Sequence, residues 1–275
     1  VVPVPVNTPP VAADDLATTP EDTPIDLNLI ANDRDPDDDP LSVVAVTDPQ
    51  HGTVAINADG SVRYTPAADY FGDDAFGYTV GDGRGGQADA TVTITVTPVN
   101  DAPVLQAIPA GQVDEGQVFG YQAVASDVDG DTLHFRLTGP AGATIDEQTG
   151  LIHWLAADGP ATAGFTVVVS DRADPDDLDA RSASQSFEVS VANVAPTLTL
   201  TAPAVAREGQ PWALRLSATD PGADVVASWW IDWGDGQQQQ VDAATADLSH
   251  VFHISGQATV HVAAQDDDGV WTADP

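Results

Sequence analysis

The stretch TVTITVTPVNDAP, residues 91–103, joins the two features that decide the fold: an alternating strand and a recurring linker. Residues 91–99 alternate threonine with valine or isoleucine, the pattern of a strand with one buried face. The linker Asn100-Asp101-Ala102-Pro103 has counterparts at residues 7–10 and 193–196, each 93 residues from the next. A repeat of this period predicts a tandem array of similar units.

Three further landmarks recur in the same order after each linker. A glutamate comes first, an aspartate lies about twelve residues beyond it, and an apolar alternating run later ends in aspartate. The glutamates are Glu21, Glu115 and Glu208; the loop aspartates are Asp33, Asp127 and Asp220; the run-ending aspartates are Asp82, Asp171 and the pair Asp266 and Asp268. The repetition predicts that each unit places the same polar groups at the same points of its fold.

The segments between these landmarks read as short strands, and the 21 prolines and 23 glycines fall mostly between them. The pattern predicts an all-β chain of three tandem immunoglobulin- or cadherin-like β-sandwiches in an elongated array. The expected divisions are 1–6, the tail of a preceding repeat, and the first (7–99), second (100–192) and third (193–275) repeats. Because few residues follow Asp266, we expect the third repeat to be incomplete at its C-terminal strand.

Composition excludes several classes of partner. The net charge is −35, and the eight basic residues are all arginine, so the chain lacks the cations that neutralise phosphates. We therefore expect no nucleic-acid partner, and no attraction to an anionic membrane surface. The apolar runs are only strand-length, which predicts no membrane insertion. Cysteine is absent, so disulfides and thiolate chemistry are excluded.

The acidic residues favour one chemistry. Of 43 acidic residues only five are glutamate, and aspartate is a loop residue that binds hard cations through oxygen. SDVDGDTL, residues 126–133, carries Asp127, Asp129 and Asp131 at alternate positions. At an effective dielectric constant near 20, the repulsion between two carboxylates in close contact costs about 4 kcal/mol. A cation bound between them makes the net electrostatic energy favourable. The loop does not match an EF-hand, because Thr138 stands at the twelfth position. Its periodic context favours a metal loop over a polar turn.

The motifs resemble known families. NTPPVAADD (7–15) and HGTVAINADGSVRYTPAADYFGDDAFGYTVGDGRGG (51–86) are similar to the cadherin-like repeats of large bacterial surface adhesins of the RTX type. NDAPVLQAIPAGQVDEGQ (100–117) resembles a dystroglycan-type cadherin-like domain. WWIDWGDG (229–236) and the run ending in QDDDG (265–269) resemble a PKD domain.

The cadherin resemblance implies Ca²⁺ bound between successive domains. Carried onto this chain, the first junction is Glu21, Asn100, Asp101, Asp127, Asp129, Asp131 and Asp171. The second is Glu115, Asn193, Asp220 and Asp266 or Asp268, and the loop of the first repeat adds Asp33, Asp35 and Asp37 with Asp82. The second junction departs from the pattern, because Val194 replaces the linker aspartate and DPGAD (220–224) replaces Asp-x-Asp. We therefore expect Ca²⁺ to stiffen the first junction more than the second.

The resemblance implies a calcium-stiffened stalk of an extracellular or bacterial cell-surface adhesin. Such a stalk contacts its neighbouring repeats, while other parts of the parent protein bind a host-surface, glycan or matrix ligand. We find no nucleophile–base arrangement and expect no catalysis. An alternative is an accessory module of a secreted degradative enzyme, in which Trp229, Trp230 or Trp233 contacts sugar, although a sandwich needs at least one core tryptophan. A third reading attributes the acidity to solubility in high salt.

Overall fold

The computed structural model describes residues 6–174, 176–253 and 255–273, so nearly all of the expected N-terminal tail (1–6) lies outside the described residues. The chain is all-β apart from a short 3-10 turn at Leu29–Ala31. It divides into two units, Val1–Asp101 and Ala102–Pro275. No helix in the described part of the chain has the length and apolarity needed to span a membrane.

The described part of the first unit, residues 6–101, holds seven strands. They are β1 (Asp15–Pro20), β2 (Ile25–Leu27), β3 (Ser42–Val46), β4 (Gly52–Ile56), β5 (Val62–Pro66), β6 (Gly72–Gly81) and β7 (Gln87–Thr97). One sheet has the order β1-β7-β6-β3 and the other β2-β5-β4. The first strand pairs in parallel with the last, from Asp15 opposite Val92 to Pro20 opposite Thr97.

The second repeat has the same plan. Its strands are β8 (Val104–Leu105), β9 (Gly111–Asp114), β10 (Val118–Gln122), β11 (Ala125–Ser126), β12 (His134–Thr138), β13 (Thr144–Ile145), β14 (Leu151–Leu155), β15 (Ala161–Ser170) and β16 (Ser182–Ala192). The sheet β12-β15-β16-β9 again joins an early strand in parallel to the last one. The long hairpin β15–β16 therefore corresponds to β6–β7.

The third repeat is built from two sheets. Its strands are β17 (Thr197–Thr201), β18 (Pro211–Thr219), β19 (Ser228–Asp232), β20 (Gln238–Asp242), β21 (Asp247–Val251), β22 (His261–Gln265) and β23 (Val270–Ala273). They form the sheets β17-β18-β21 and β20-β19-β22-β23. The expected incompleteness of this repeat stays a prediction.

Each repeat has its own hydrophobic core, because alternation along each strand sends one set of side chains inward. The first core includes Val62, Tyr64 and Ile94, and the second is centred on Ile152 and Phe165. The third includes two of the tryptophans, Trp229 and Trp233, together with Leu216 and Ile231. Burial of each large side chain contributes about 1.5–3 kcal/mol, so the loops at the ends of these sandwiches are held on rigid frames.

Candidate metal-binding clusters

The same turn begins one loop in every repeat. Asp35, Asp127 and Asp220 each accept a hydrogen bond through Oδ1 from the N–H two residues later, at 2.8, 3.0 and 2.7 Å. This is the Asx turn that short acidic side chains favour. The turn fixes one carboxylate oxygen on the backbone and leaves the other available. The three aspartates therefore occupy equivalent places.

A second recurring aspartate closes the long hairpin of each repeat. Asp82, Asp171 and Asp266 each accept the N–H of the residue just before the following strand, at 2.9, 2.8 and 2.8 Å. All three are buried. The bond anchors each carboxylate at the tip of its hairpin, so the predicted run-ending aspartates have a common structural position.

Four carboxylates converge within the second unit. One oxygen each from Glu115, Asp158, Asp224 and Asp268 lies within 4.8 Å of the others, and we call this set the Glu115 cluster. Glu115 is completely buried, Asp224 is half-buried, and the other two are exposed. The cluster therefore has a dry base and an open side through which an ion can enter.

The backbone holds Glu115 in place. Its Oε1 accepts the Val194 N–H at 2.7 Å, and its Oε2 accepts the Gly159 N–H at 2.9 Å. The Asn193 amide donates to Asp268, so the linker residue is tied to the third repeat. Val194 thus contributes through its main chain, and its apolar side chain does not prevent the linker from taking part.

Gly222 explains why the DPGAD loop, residues 220–224, departs from the Asp-x-Asp pattern. A Cβ atom at Gly222 would lie 2.7 Å from Cδ of Glu115, and one at Gly116 would collide with the Pro221 carbonyl. The loop therefore approaches Glu115 too closely for a side chain at position 222. Asp224, two residues later, supplies the carboxylate instead.

The electrostatics of the cluster are unfavourable without a cation. Burial, followed by contacts with the Asp158 and Asp268 carboxylates and the charge of Glu115, raises the pKa of Asp224 to about 7. Three nearby buried oxygens, Oδ2 of Asp220, Oδ2 of Asp224 and Oδ1 of Asn193, have no hydrogen-bond partner. Buried oxygens of this kind are rare unless something satisfies them. Oxygen atoms with excess negative charge and few donors are what a hard cation requires.

A similar arrangement occurs within the first unit. Asp35, Asp37 and Asp39 bring one oxygen each within 4.8 Å, and we call this set the Asp35 cluster. The Asn7 amide donates to Asp82 at 2.7 Å. Oδ1 of Asn7 and Oδ2 of both Asp35 and Asp39 again have no hydrogen-bond partner. Oδ1 of Asp39 pairs with Arg84 at 2.9 Å. This cluster repeats the arrangement of Asn193, Asp220 and Asp224 in the third repeat.

Asp33 does not share this environment, although counting from Glu21 predicts it as the loop ligand. Its Oδ1 accepts the Ala13 N–H at 2.8 Å and the Tyr78 hydroxyl at 3.1 Å. Asp35 makes the Asx turn instead. The loop of the first repeat therefore begins two residues later than the spacing predicts, and Asp33 anchors the strand ends.

The residues predicted for the first junction are divided between the two units. Glu21, Asn100 and Asp101 lie in the first unit, where Glu21 accepts the Val99 N–H at 2.6 Å. Asp127, Asp129, Asp131 and Asp171 lie in the second unit. There, Arg172 forms an ion pair with Asp131. That junction stays a prediction.

The sequence carried a signal for one further residue that the prediction missed. Asp158 follows two alanines just before the long strand β15, and Asp69 follows two alanines before β6. The structure places Asp69 with Asp22 and Asp101, one oxygen of each within 4.8 Å, as it places Asp158 with Glu115. The triplet also occurs at residues 12–14, so its position just before the long strand, and not the triplet alone, marks a second acidic loop in both repeats.

Comparison with family models divides the chain into three modules. Residues 7–95 match a bacterial Ig domain, residues 102–192 a putative Ig domain, and residues 193–274 a PKD domain. No curated protein matches the chain.

Solved cadherin structures are similar in fold. Human CDH23 EC21-23 is 18% identical with a TM-score of 0.52, covering 97% of this chain and 98% of that one. Human mucin-like protocadherin EC1-2 is 16% identical with a TM-score of 0.42, covering 67% and 98%. The chain is therefore a tandem array of Ig-like, cadherin-like repeats followed by a PKD domain.

Proposed function

We propose that this chain is a calcium-stiffened extender of a large extracellular bacterial surface protein, which holds a distal ligand-binding domain away from the cell. Bacterial Ig and PKD domains support an extracellular or surface location. The observation that carries the proposal is the Glu115 cluster, because it joins a glutamate of the second repeat to aspartates of the third.

The donor set fits Ca²⁺. Ca²⁺ takes six to eight oxygen ligands in flexible geometry, and the cluster offers four carboxylates with the buried oxygens of Asn193 and Asp220 beside them. Mg²⁺ requires tighter octahedral geometry and retains its waters, so we expect it to substitute poorly. Zn²⁺ prefers nitrogen and sulfur donors, which are absent from this set.

The ion would act as a clasp between repeats. Without it, the carboxylates repel one another and favour separation of the second and third repeats. With it, the same charges become attractive contacts on both sides of the linker. Extracellular modules bind Ca²⁺ with dissociation constants of about 10⁻⁴–10⁻³ M. At a free Ca²⁺ concentration of about 100 times that constant, binding would stabilise the closed arrangement of the two repeats by about 2.7 kcal/mol.

The proposed role needs no catalysis. Ig-like, PKD and cadherin-like repeat domains are typically non-catalytic. The immediate partners are then neighbouring repeats of the same chain, and host-surface, glycan or matrix ligands are bound by other parts of the protein.

Calcium titration of the full chain tests the proposal. Glu115→Gln keeps the size of the side chain and removes its charge, so we expect one binding event to disappear from the calorimetric isotherm in chelator-treated buffer. Glu188→Gln is the matched control, because Glu188 is exposed on β16 of the same repeat. Equal isotherms for both variants, or no calcium binding by the parent chain, would refute the proposed site.

A further inference from the structure

The adjacent tryptophans of the third repeat have opposite environments. Trp229 is 3% exposed and belongs to the core, whereas Trp230, the next residue on β19, is 42% exposed. Trp233 is also buried and stacks on His250, with ring centroids 4.5 Å apart. Strand alternation therefore assigns two of these tryptophans to structure and points Trp230 outward.

Polar side chains surround the outward indole. Gln240 on β20 and Ala263 on β22 lie directly opposite Trp230 on its two sides. Ser228 and Asp232 lie two residues away on the same strand and share the outward face. We call the surface of Ser228, Trp230, Asp232, Gln238, Gln240 and Gln265 the Trp230 face.

The polar groups of this face lie along the sheet. The Gln240 amide donates to the Ser228 hydroxyl at 3.3 Å, and the Gln238 amide donates to Asp232 at 3.0 Å. The Ser228 hydroxyl donates to Oε1 of Gln265 at 3.5 Å. These contacts hold amide, hydroxyl and carboxylate groups beside the indole, where they offer both donors and acceptors.

The chemistry of the face selects its occupant. A sugar ring is amphipathic, with C–H groups on its faces and hydroxyls at its edge, and an indole edged by amides and carboxylates complements both. Asp232 is negatively charged, and Asp242 and His261 lie on the same side of the sheet, opposite Ser228 and Asp232. None of these residues is a lysine or an arginine. With a net charge of −35, the chain repels uronate- or sulfate-bearing polymers.

A protein partner fits this surface less well. Stable protein interfaces bury about 800 Å² on each side around a core of several apolar anchors. The exposed apolar neighbour of Trp230 is Val270, which lies opposite Gln265 on edge strand β23, and Ala263, directly opposite Trp230, is small and buried. Four strands at about 4.8 Å spacing span roughly 14 Å, a width suited to a short run of sugars.

We propose that the Trp230 face binds an uncharged polysaccharide, with Trp230 stacking against a sugar ring and the glutamines hydrogen-bonding its hydroxyls. The site lies on the sheet surface of the third repeat and is independent of the proposed calcium clasp.

Binding to insoluble polymers tests this site. The full chain is incubated with microcrystalline cellulose, chitin and, as an anionic comparison, covalently crosslinked alginate beads washed free of calcium, and the bound fraction is measured. We expect retention on at least one neutral polymer and none on alginate. Trp230→Ala should weaken retention about tenfold, and Trp230→Phe should retain part of it because a smaller ring still stacks.

Leu178→Ala is the control, since Leu178 is an apolar residue of the second repeat that is 96% exposed. It should bind like the parent chain. Unchanged melting temperatures would show that the Trp230 variants remain folded, and retention should survive chelation of calcium. Absence of binding to every neutral polymer, equal binding by Trp230→Ala, or preference for alginate would overturn the proposal.

Discussion

The loops at residues 127–131 and 220–224 begin with the same Asx turn but distribute their charges differently. DVDGD carries aspartates at its first, third and fifth positions, whereas DPGAD has glycine at the third. The structure gives the reason for the second loop: a side chain at Gly222 would collide with Glu115. The second loop therefore lacks a carboxylate at its third position because it approaches Glu115 more closely. Asp224 and Asp158 supply the further carboxylates of the Glu115 cluster.

The largest expected loss of stability comes from placing an aspartate at position 222, the third position of the DPGAD loop. Gly222→Asp places a side chain against buried Glu115 and adds a carboxylate to the cluster. Overpacking of this kind costs about 1–3 kcal/mol, and repulsion adds to it in chelator. Urea unfolding of the second unit measures the loss. Gly120→Asp is the control, because its Cβ would find the nearest heavy atom 3.9 Å away; equal losses would show that charge alone is responsible.

The next largest effect is expected on calcium affinity when Asp158 is substituted. The spacing of the landmarks did not reveal this residue. Asp158→Asn removes one of four carboxylates, so we expect calcium affinity at the Glu115 cluster to fall about tenfold, or 1.4 kcal/mol. Calorimetry on the full chain measures it. Asp179→Asn, a change at an exposed aspartate of the same repeat, serves as the control. An unaltered isotherm for Asp158→Asn would exclude this residue from the site.

A pH dependence should distinguish Asp224 from other acidic residues. The pKa of Asp224 is raised from 3.8 to about 7, so the folded state retains a proton that the unfolded chain has lost. The metal-free fold should therefore lose stability as pH rises between those values. Asp224→Asn should make the stability of the metal-free fold depend less on pH. The urea midpoint of unfolding, measured in chelator across this pH range, tests the expectation. A steeper decline in the variant would contradict the assignment.

The smallest effect is expected at the linker. Val194→Asp restores the residue that the cadherin resemblance implies, but Glu115 is held by the backbone N–H of residue 194. The substitution should change stability by no more than about 0.5 kcal/mol. Thermal melts with and without calcium measure it. A large gain in calcium affinity would mean that the side chain at this position is the missing ligand.

Alternation and turn chemistry predicted much of the fold. The alternating pattern predicted a strand over residues 91–99, and residues 91–97 form the C-terminal part of β7 (Gln87–Thr97), which is buried on one face. The strand ends before Pro98. Asp59-Gly60 is a pair typical of hairpin turns, and it connects the antiparallel strands β4 and β5. Gly60 has a φ of 91°, a conformation that favours glycine. These features depend on neighbours along the chain, so local sequence is sufficient to reveal them.

The candidate site was only partly predictable. The cadherin resemblance named Glu115, Asn193, Asp220 and Asp266 or Asp268 for the second junction. The structure brings Glu115 and Asp268 together, with the Asn193 amide donating to Asp268. The resemblance missed Asp158 and Asp224, since the approach of one loop to another depends on packing between repeats. The count from Glu21 placed the recurring loop aspartate at Asp33, whereas Asp35, which was named beside it as a candidate ligand, makes the turn. A fixed count cannot reveal two extra residues. Hydrogen bonds to the backbone identify equivalent residues where spacing does not.

The parallel pairing of an early strand with the last strand of a repeat has a mechanical consequence. In the first repeat, β1 and β7 pair in parallel over six residues. A force that pulls the two ends of the repeat apart therefore acts along both strands and strains all the hydrogen bonds between them at the same time. In the second repeat, β9 and β16 pair over only four residues. Forced unfolding follows the rate at which the weakest such contact breaks. Under a pulling force, the second repeat should therefore yield before the first and lengthen the chain while its neighbour stays folded.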